Sequence, residues 1–138
     1  MSDGERLTAT PGGIKLASLD AIADGKARNF VLQMRVGRFH GFVVRKGDAV
    51  FGYLDRCPHM GLPLAQVLDD YLTPRGDLIA CSWHSALFEI DNGACVGGPC
   101  GGAQLTPWPV AVVDGMIVTA GLRGGRLALR ERNSSPAR

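Results

Sequence analysis

The chain has 138 residues, of which 46% are apolar and 20% charged, and this fits one globular domain that can bury a core. Its formal charge of +2 is unevenly placed. Residues 121–138 carry five Arg and one Glu, whereas residues 1–120 carry ten basic and twelve acidic side chains. The basic stretch is short and has no interleaved aromatic residues, so we expect no nucleic-acid partner.

The sequence shows no signal for export or membrane insertion. The opening residues MSDGERLTAT contain no apolar segment and no twin arginine, and no apolar run approaches the roughly 18 residues of a membrane span. We therefore expect a cytoplasmic protein without a membrane partner. Because thiols stay reduced there, the four cysteines are expected to be ligands or free thiols rather than disulfides.

Strand signals recur in the first half of the chain. The segments NFVLQMRVG, HGFVVRK and AVFGYLD, at residues 29–37, 40–46 and 49–55, are rich in Val, Phe and Tyr. Glycine-containing breaks at residues 37–39 and 46–48 separate them. This alternation predicts an antiparallel meander.

The second half continues with shorter strand signals. LIACSW at residues 78–83 and ALFEI at residues 86–90 are followed by DNG at 91–93, whose Asn-Gly pair is typical of a two-residue hairpin turn. PVAVV at residues 109–113 and MIVTA at 116–120 flank an Asp-Gly pair and predict a second hairpin.

Helical character is confined to two short stretches. LPLAQVLDDYL at residues 62–72 could form two or three turns before Pro74 and Gly76, and SLDAIADG at residues 18–25 could form one. The sequence therefore predicts an all-β protein with little helix.

Two pairs of soft metal ligands lie between the third strand and the last hairpin. They are CPH at residues 57–59 and CSWH at residues 81–84, with the spacings C-x-H and C-x-x-H, and each follows strand-like residues. Neighbouring antiparallel strands lie about 4.8 Å apart. Loops that follow two such strands can therefore offer two Cys and two His to one metal centre.

This donor set fits two kinds of centre, tetrahedral Zn²⁺ or a [2Fe–2S] cluster with two thiolates on one iron and two imidazoles on the other. Zinc sites favour ligands separated by two to four residues, so C-x-H is tight for chelation of one ion. In the cluster, Cys57 and His59 bind different irons, and the short spacing suits them. The spacing favours the cluster, and zinc remains the alternative.

The two boxes, CPHMG at residues 57–61 and CSWH at 81–84, resemble those of Rieske proteins, and DNGACVGGPCGG at 91–102 resembles the loop that covers their cluster. The resemblance extends from about residue 14 to residue 120 and is greatest to soluble Rieske-type ferredoxins. It implies a Rieske-type antiparallel β-sandwich or barrel scaffold with an inserted, loop-rich cluster-binding subdomain. It also implies a Rieske [2Fe–2S] cluster bound by four residues: Cys57 and Cys81 on the buried iron, His59 and His84 on the outer iron.

The sequence departs from the family pattern between the boxes. His59 and Cys81 are separated by 21 residues, a few more than is usual, and VLDDYLTPRGD at residues 67–77 is the expected place of an insertion. Because loop length costs little free energy, we interpret this as a variant of the family.

A second departure lies beside the ligands. Leu62 and Trp83 stand where respiratory Rieske proteins carry a disulfide, and Ala86 and Phe88 stand where they carry a Ser and a Tyr that donate hydrogen bonds to sulfur. Such hydrogen bonds stabilise the reduced cluster. Their loss predicts a potential towards the low end of the Rieske range, about −150 mV.

Two cysteines and one histidine remain outside the two boxes: Cys95, Cys100 and His40. The two cysteines could close the covering loop as a disulfide, but a reducing cytoplasm favours free thiols. His40 is expected to have a structural or surface role. A Rieske oxygenase needs a second iron held by two His and a carboxylate, and this chain has too few His for that.

The sequence therefore predicts a soluble one-electron carrier and not an enzyme. By resemblance, it accepts electrons from a flavin-dependent ferredoxin reductase and passes them through His59 and His84 to a terminal oxygenase or similar oxidoreductase. It is expected to be monomeric when free. Residues 1–122 are expected to form the Rieske domain, with the cluster-binding part at about 55–103 and a disordered basic tail at 123–138.

Two alternatives to a free carrier remain. One is a Rieske subunit of a stable oxidoreductase complex, as in the small subunits of nitrite reductase. The other is a zinc-containing or cluster-containing structural or sensing module.

Overall fold

The computed structural model describes residues 5–35, 37–56, 64, 69–81, 86–98, 103–120, 122–123 and 126–127. Its strands are β1 (Glu5–Leu7), β2 (Lys15–Ser18), β3 (Ala27–Gln33), β4 (Gly37–Lys46), β5 (Ala49–Leu54), β6 (Leu78–Ala80), β7 (Leu87–Glu89), β8 (Cys95–Gly97), β9 (Val110–Val113), β10 (Met116–Thr119), β11 (Leu122–Arg123) and β12 (Arg126–Leu127). The helical structure in these ranges is one 3₁₀ turn at Leu19–Ala21. The predicted all-β class is confirmed.

The first sheet is built around β4. Strand β3 pairs antiparallel with one edge of β4, while β5 (antiparallel) and β1 (parallel) share the other edge. The predicted meander is thus present. The predicted break at residues 37–39 is wrong, because β4 already begins at Gly37. The chain turns before it, where Met34 N–H donates to the Gly37 carbonyl at 2.8 Å.

The central strand β4 is buried on both faces. Successive side chains of a strand point to opposite faces, so Phe39 and Val43 enter one core and Phe42 and Val44 enter another. All four are fully buried. This strand therefore divides the molecule into two packed regions.

The first core lies between this sheet and the sheet β2–β10–β9. Its centre is Trp108, 2% exposed, whose ring lies 4.6 Å from the ring of Phe39 between centroids. Gly41 and Gly52 make room for it, since a Cβ at Gly41 would lie 2.7 Å from the indole and one at Gly52 would lie 2.5 Å from the Trp108 carbonyl oxygen. The main-chain N–H of Trp108 also donates to the Gly52 carbonyl at 2.8 Å.

The predicted hairpin at residues 109–120 is confirmed as β9–β10. Asp114 and Gly115 both have positive φ, 52° and 77°, which is the conformation of a type I′ turn. On β10, the buried Thr119 hydroxyl donates to the Pro11 carbonyl at 2.7 Å and accepts the Ile14 N–H at 2.9 Å. These bonds hold the N-terminal segment against the sheet.

The second core joins the first sheet to the small sheet β6–β7–β8. Strands β7 and β8 form the hairpin that DNG predicted, but the turn is longer than two residues. Glu89 N–H donates to the Ala94 carbonyl, and Gly93 N–H donates to the Glu89 carbonyl. Asn92 uses its side-chain oxygen to accept the Ala94 N–H at 2.8 Å, an Asx-type turn.

The helical prediction at residues 62–72 is wrong for its described C-terminal part. Residues 69–72 are not helical, and Leu72 forms an antiparallel bridge with Ile79. Residues 62, 63 and 65–68 lie outside the described residues. The predicted turn at residues 18–25 is confirmed by the 3₁₀ segment Leu19–Ala21.

Within the ranges given above, no helix is long and apolar enough to cross a membrane. Of the basic tail predicted at residues 123–138, only Arg123, Arg126 and Leu127 are among the described residues. The predicted domain boundaries therefore stay predictions.

Candidate metal centre

Of the four predicted ligands, Cys81 is described, and Cys57, His59 and His84 lie outside the described residues. Cys81 directly follows β6 and is 1% exposed. In the described part of the chain, no three Cys, His, Asp or Glu side chains form a metal-binding group.

The loop that follows Cys81 is closed at its base. Cys81 N–H donates to the Ala86 carbonyl at 2.9 Å, directly beyond the last β6–β7 pair, Ala80 with Leu87. The described residues on either side of the segment 82–85, which contains His84, are therefore hydrogen-bonded to each other. The two residues at this base, Cys81 and Ala86, are both buried.

The first loop is closed by a side chain. Asp55, at the end of β5 and 6% exposed, accepts the Leu64 N–H with Oδ1 at 2.9 Å. Its own N–H donates to the His40 carbonyl at 3.0 Å, which fixes it to β4. Residues 57–63, which include Cys57 and His59, therefore run between two residues that are hydrogen-bonded to each other.

The bases of the two loops lie in one hydrophobic cluster. Leu64 from the first loop and Cys81 and Ala86 from the second belong to the same buried group. The described residues that flank the two ligand boxes thus meet in the second core, and the buried Cys81 thiol lies there. This arrangement fits a centre that takes donors from both loops.

Tyr71 links the two loops, and sequence reasoning did not single it out. Its hydroxyl donates to Asp55 Oδ2 at 2.8 Å and accepts from Asn29 Nδ2 at 2.7 Å. Burial, together with the charge of Asp55, raises the pKa of the Tyr71 phenol above its ordinary value. The phenol therefore keeps its proton for this hydrogen bond.

Tyr53 anchors the hairpin beyond the second box. It is 3% exposed, and its hydroxyl donates to the Ile90 carbonyl at 2.6 Å. Burial, and then the charge of Asp91, raises the pKa of Tyr53 to about 12. This hydrogen bond ties β5 to the end of β7.

The model of the Rieske [2Fe-2S] domain matches residues 15–113. The chain belongs to the Rieske family. The predicted family, fold class and Rieske-type [2Fe–2S] cofactor are thereby confirmed, and the zinc alternative has no support. A comparison with curated proteins found no match.

Solved structures with the same fold include chains from carbazole 1,9a-dioxygenase systems. One chain in the complex of reduced oxygenase and oxidized ferredoxin in carbazole 1,9a-dioxygenase is 27% identical, with a TM-score of 0.60 over 77% of this chain and 100% of that one. The ferredoxin of carbazole 1,9a-dioxygenase from Nocardioides aromaticivorans IC177 is 22% identical, with a TM-score of 0.62 over 82% and 100%. A chain of the reduced oxygenase–ferredoxin complex is 18% identical, with a TM-score of 0.65 over 81% of this chain and 28% of that chain.

The two positions that carry hydroxyls in respiratory Rieske proteins are apolar and inaccessible here. Ala86 and Phe88 are both fully buried in the cluster that contains Cys81. Neither side chain can donate a hydrogen bond to sulfur. The second core therefore surrounds Cys81 with hydrocarbon at these two positions.

The expectation of a free thiol at Cys95 is wrong. Cys95 is disulfide-bonded, and its partner lies outside the described residues. The sequence-based expectation relied on the redox state of the expected compartment, whereas a disulfide forms wherever the fold holds two sulfurs at bonding distance. Cys100, the other cysteine of the covering loop, is not among the described residues.

Proposed function

We propose that the protein is a one-electron carrier that delivers electrons to a terminal oxygenase or another oxidoreductase and does not itself act on a substrate. The observation that carries the proposal is the match, at 27% identity, to the whole of a chain from an oxygenase–ferredoxin complex. The chain also matches the whole of a free ferredoxin of the same kind of dioxygenase.

We propose Cys57 and Cys81 as ligands of the buried iron and His59 and His84 as ligands of the outer iron. Three observations support this set. Asp55 is hydrogen-bonded to Leu64 and Cys81 to Ala86; Leu64, Cys81 and Ala86 share one hydrophobic cluster; and Cys81 is buried within it. When bound, the cluster supplies a centre that is reduced and oxidised by one electron. The protein holds the cluster in two loops and excludes water from its Cys81 side.

The donor proposed for this carrier is a flavin-dependent ferredoxin reductase, and the acceptor is a terminal oxygenase. We further propose that the carrier is monomeric when free and cytoplasmic. The Rieske domain is proposed to occupy residues 1–122, with a basic tail at 123–138. A nitrite-reductase-like small subunit is the other candidate, and it would co-purify with a larger chain.

The ligand set is tested by substituting each histidine. His59→Ala and His84→Ala should abolish the visible absorbance and the rhombic EPR signal of the reduced cluster. His40→Ala is the matched control, because His40 is the third histidine of the chain and lies on β4. Full Rieske absorbance in either His59→Ala or His84→Ala would refute the assignment.

The carrier function is tested by reconstitution. The purified, cluster-loaded protein is added to a flavin-dependent reductase and a terminal oxygenase, and oxygenase turnover is measured with and without it. Turnover that depends on the protein, and that His84→Ala fails to support, agrees with the proposal. Cluster-loaded protein that no reductase reduces, and that isolates only with a larger chain, would point to the complex subunit.

A further inference from the structure

We propose that Tyr71, Asp55 and Asn29 form a positioning unit that fixes the first ligand loop against the second. The inference rests on the ligand set proposed above, and it assigns a role to the insertion between the boxes. Tyr71 belongs to that insertion, residues 67–77, and is 2% exposed. None of the three residues is a proposed ligand, so the unit acts through the backbone of the two loops.

The first half of the unit is the carboxylate of Asp55. It stands two residues before Cys57, and its Oδ1 accepts the N–H of Leu64 at the far end of the loop. Its Oδ2 accepts hydrogen bonds from the Tyr71 hydroxyl at 2.8 Å and from Asn29 Nδ2 at 3.2 Å. A buried carboxylate requires such donors. One carboxylate oxygen of Asp55 thus binds Leu64, and the other binds Tyr71 and Asn29. The orientation of Asp55 therefore sets the position of Leu64.

The second half is the main chain of Tyr71. Its carbonyl accepts the N–H of Ala80 at 2.9 Å, and Ala80 is the residue before Cys81. The pairing continues along the insertion, where Leu72 bridges Ile79 and Thr73 N–H donates to the Leu78 carbonyl. One residue thus contacts the first loop through its side chain and the strand that leads to the second box through its backbone.

The unit is anchored to the first sheet by Asn29 and Phe42. Asn29, on β3, donates its side-chain amide to the Tyr71 hydroxyl and its main-chain N–H to Asp69 Oδ1, both at 2.7 Å. The ring of Tyr71 stacks on that of Phe42 on β4. The scaffold therefore fixes both the ring and the hydroxyl of Tyr71, so that neither loop can shift alone.

The test compares two tyrosines in the full-length, cluster-loaded protein. Tyr71→Phe and Tyr53→Phe each remove one buried hydroxyl from the same hydrophobic cluster, but the Tyr53 hydroxyl donates to Ile90, beyond both boxes. The measurements are the EPR g values of the reduced protein, the half-life of the visible absorbance in the presence of an iron chelator, and the thermal unfolding midpoint.

Both variants should lower the unfolding midpoint by similar amounts. Only Tyr71→Phe should change the g values and shorten the half-life, by about fivefold for the loss of the hydrogen bond from its hydroxyl to Asp55. Asp55→Ala, which removes the acceptor for all three donors, should shorten it further. Asp55→Asn keeps an oxygen for the Leu64 N–H and should recover part of the half-life.

The outcomes separate this inference from the proposed function. Wild-type protein without a Rieske spectrum would refute the proposed function. A normal wild-type spectrum, with Tyr71→Phe and Tyr53→Phe alike in g values and half-life, would overturn the positioning unit alone. If Asp55→Ala does not fold, the comparison of the two tyrosines still decides, because each Phe variant keeps its ring packing.

Discussion

The ring of Tyr71 lies parallel to the ring of Phe42, with centroids 4.1 Å apart and an angle of 6° between the planes. Phe42 is fully buried on β4, and Tyr71 lies between the two ligand boxes in the sequence. The contact joins the first sheet to the segment that precedes β6 and Cys81.

Loss of this stack should destabilise the protein. We expect Phe42→Leu to lower the free energy of unfolding by about 1–2 kcal/mol, because it removes an aromatic pair and leaves the core imperfectly filled. Urea denaturation of the cluster-loaded protein measures the change. Val31→Ala on the neighbouring strand β3 is the control: Val31 is 49% exposed, so its change should stay within about 0.5 kcal/mol. Equal losses for the two variants would contradict the role of the stack.

Gly52 is expected to tolerate no side chain. A Cβ there would lie 2.5 Å from the Trp108 carbonyl oxygen, which is backbone and cannot rotate away. Gly52→Ala should therefore lower the free energy of unfolding by about 1–3 kcal/mol, as measured by thermal or urea unfolding. In Gly97→Ala the new Cβ meets the flexible Leu87 side chain at 3.3 Å, and a smaller loss is expected. The prediction fails if Gly52→Ala is the milder of the two.

The two tyrosines should titrate only when the protein unfolds at high pH. Burial raises the pKa of Tyr53 from 10.0 to about 12, and burial also raises that of Tyr71. The chain has no other tyrosine. In the unfolded chain both phenols ionise near pH 10, whereas in the folded protein they stay protonated. Their contribution to the free energy of unfolding is therefore complete below pH 10, and it is lost as the pH rises towards 12.

The measurement is the ultraviolet absorbance of tyrosinate during an alkaline titration, with circular dichroism followed in parallel. Tyrosinate should appear in one step that coincides with loss of the β-sheet signal. Its appearance near pH 10 in folded protein would contradict the burial of both phenols. Tyr53→Phe and Tyr71→Phe should each halve the amplitude of that step.

Hydroxyls introduced beside Cys81 should raise the reduction potential. Ala86 and Phe88 are fully buried and apolar, and they stand where respiratory Rieske proteins place hydrogen-bond donors. We expect a low wild-type potential, near the −150 mV end of the range. Phe88→Tyr should raise it by about 40–60 mV if the new hydroxyl makes one hydrogen bond to sulfur.

Protein-film voltammetry on the cluster-loaded proteins measures both values. Phe51→Tyr is a suitable control, because Phe51 packs against the same cluster from β5 and should leave the potential unchanged. A wild-type potential above about +100 mV would contradict the prediction, because it would show that a high potential does not require hydroxyls at positions 86 and 88.

Local chemistry made much of this protein predictable from its sequence. The β class and the hairpin at residues 109–120 follow from strand-forming residues and an Asp-Gly turn, which act over a few residues. The two ligand boxes were recognisable because the spacing of Cys and His within each box is itself local. The turns were predicted less accurately than the strands. The break predicted at residues 37–39 lies earlier in the chain, and the turn at DNG is longer than expected because the Asn92 side chain accepts the Ala94 N–H.

The tertiary structure alone decided how distant segments meet. Asn29, Asp55 and Tyr71 are separated by 16 to 42 positions along the chain, yet their side chains are joined to one another by hydrogen bonds of 2.7, 2.8 and 3.2 Å. No local pattern marks them, because an Asn on a strand, an Asp at a strand end and a Tyr in a loop are each ordinary in isolation. Their meeting depends on the register of β3 on β4 and on the pairing of the insertion with β6. The sequence alone thus identified the residues proposed to bind the cluster. The packing of both faces of β4 decided how Asn29, Asp55 and Tyr71 meet, since such contacts form only after the strands have paired.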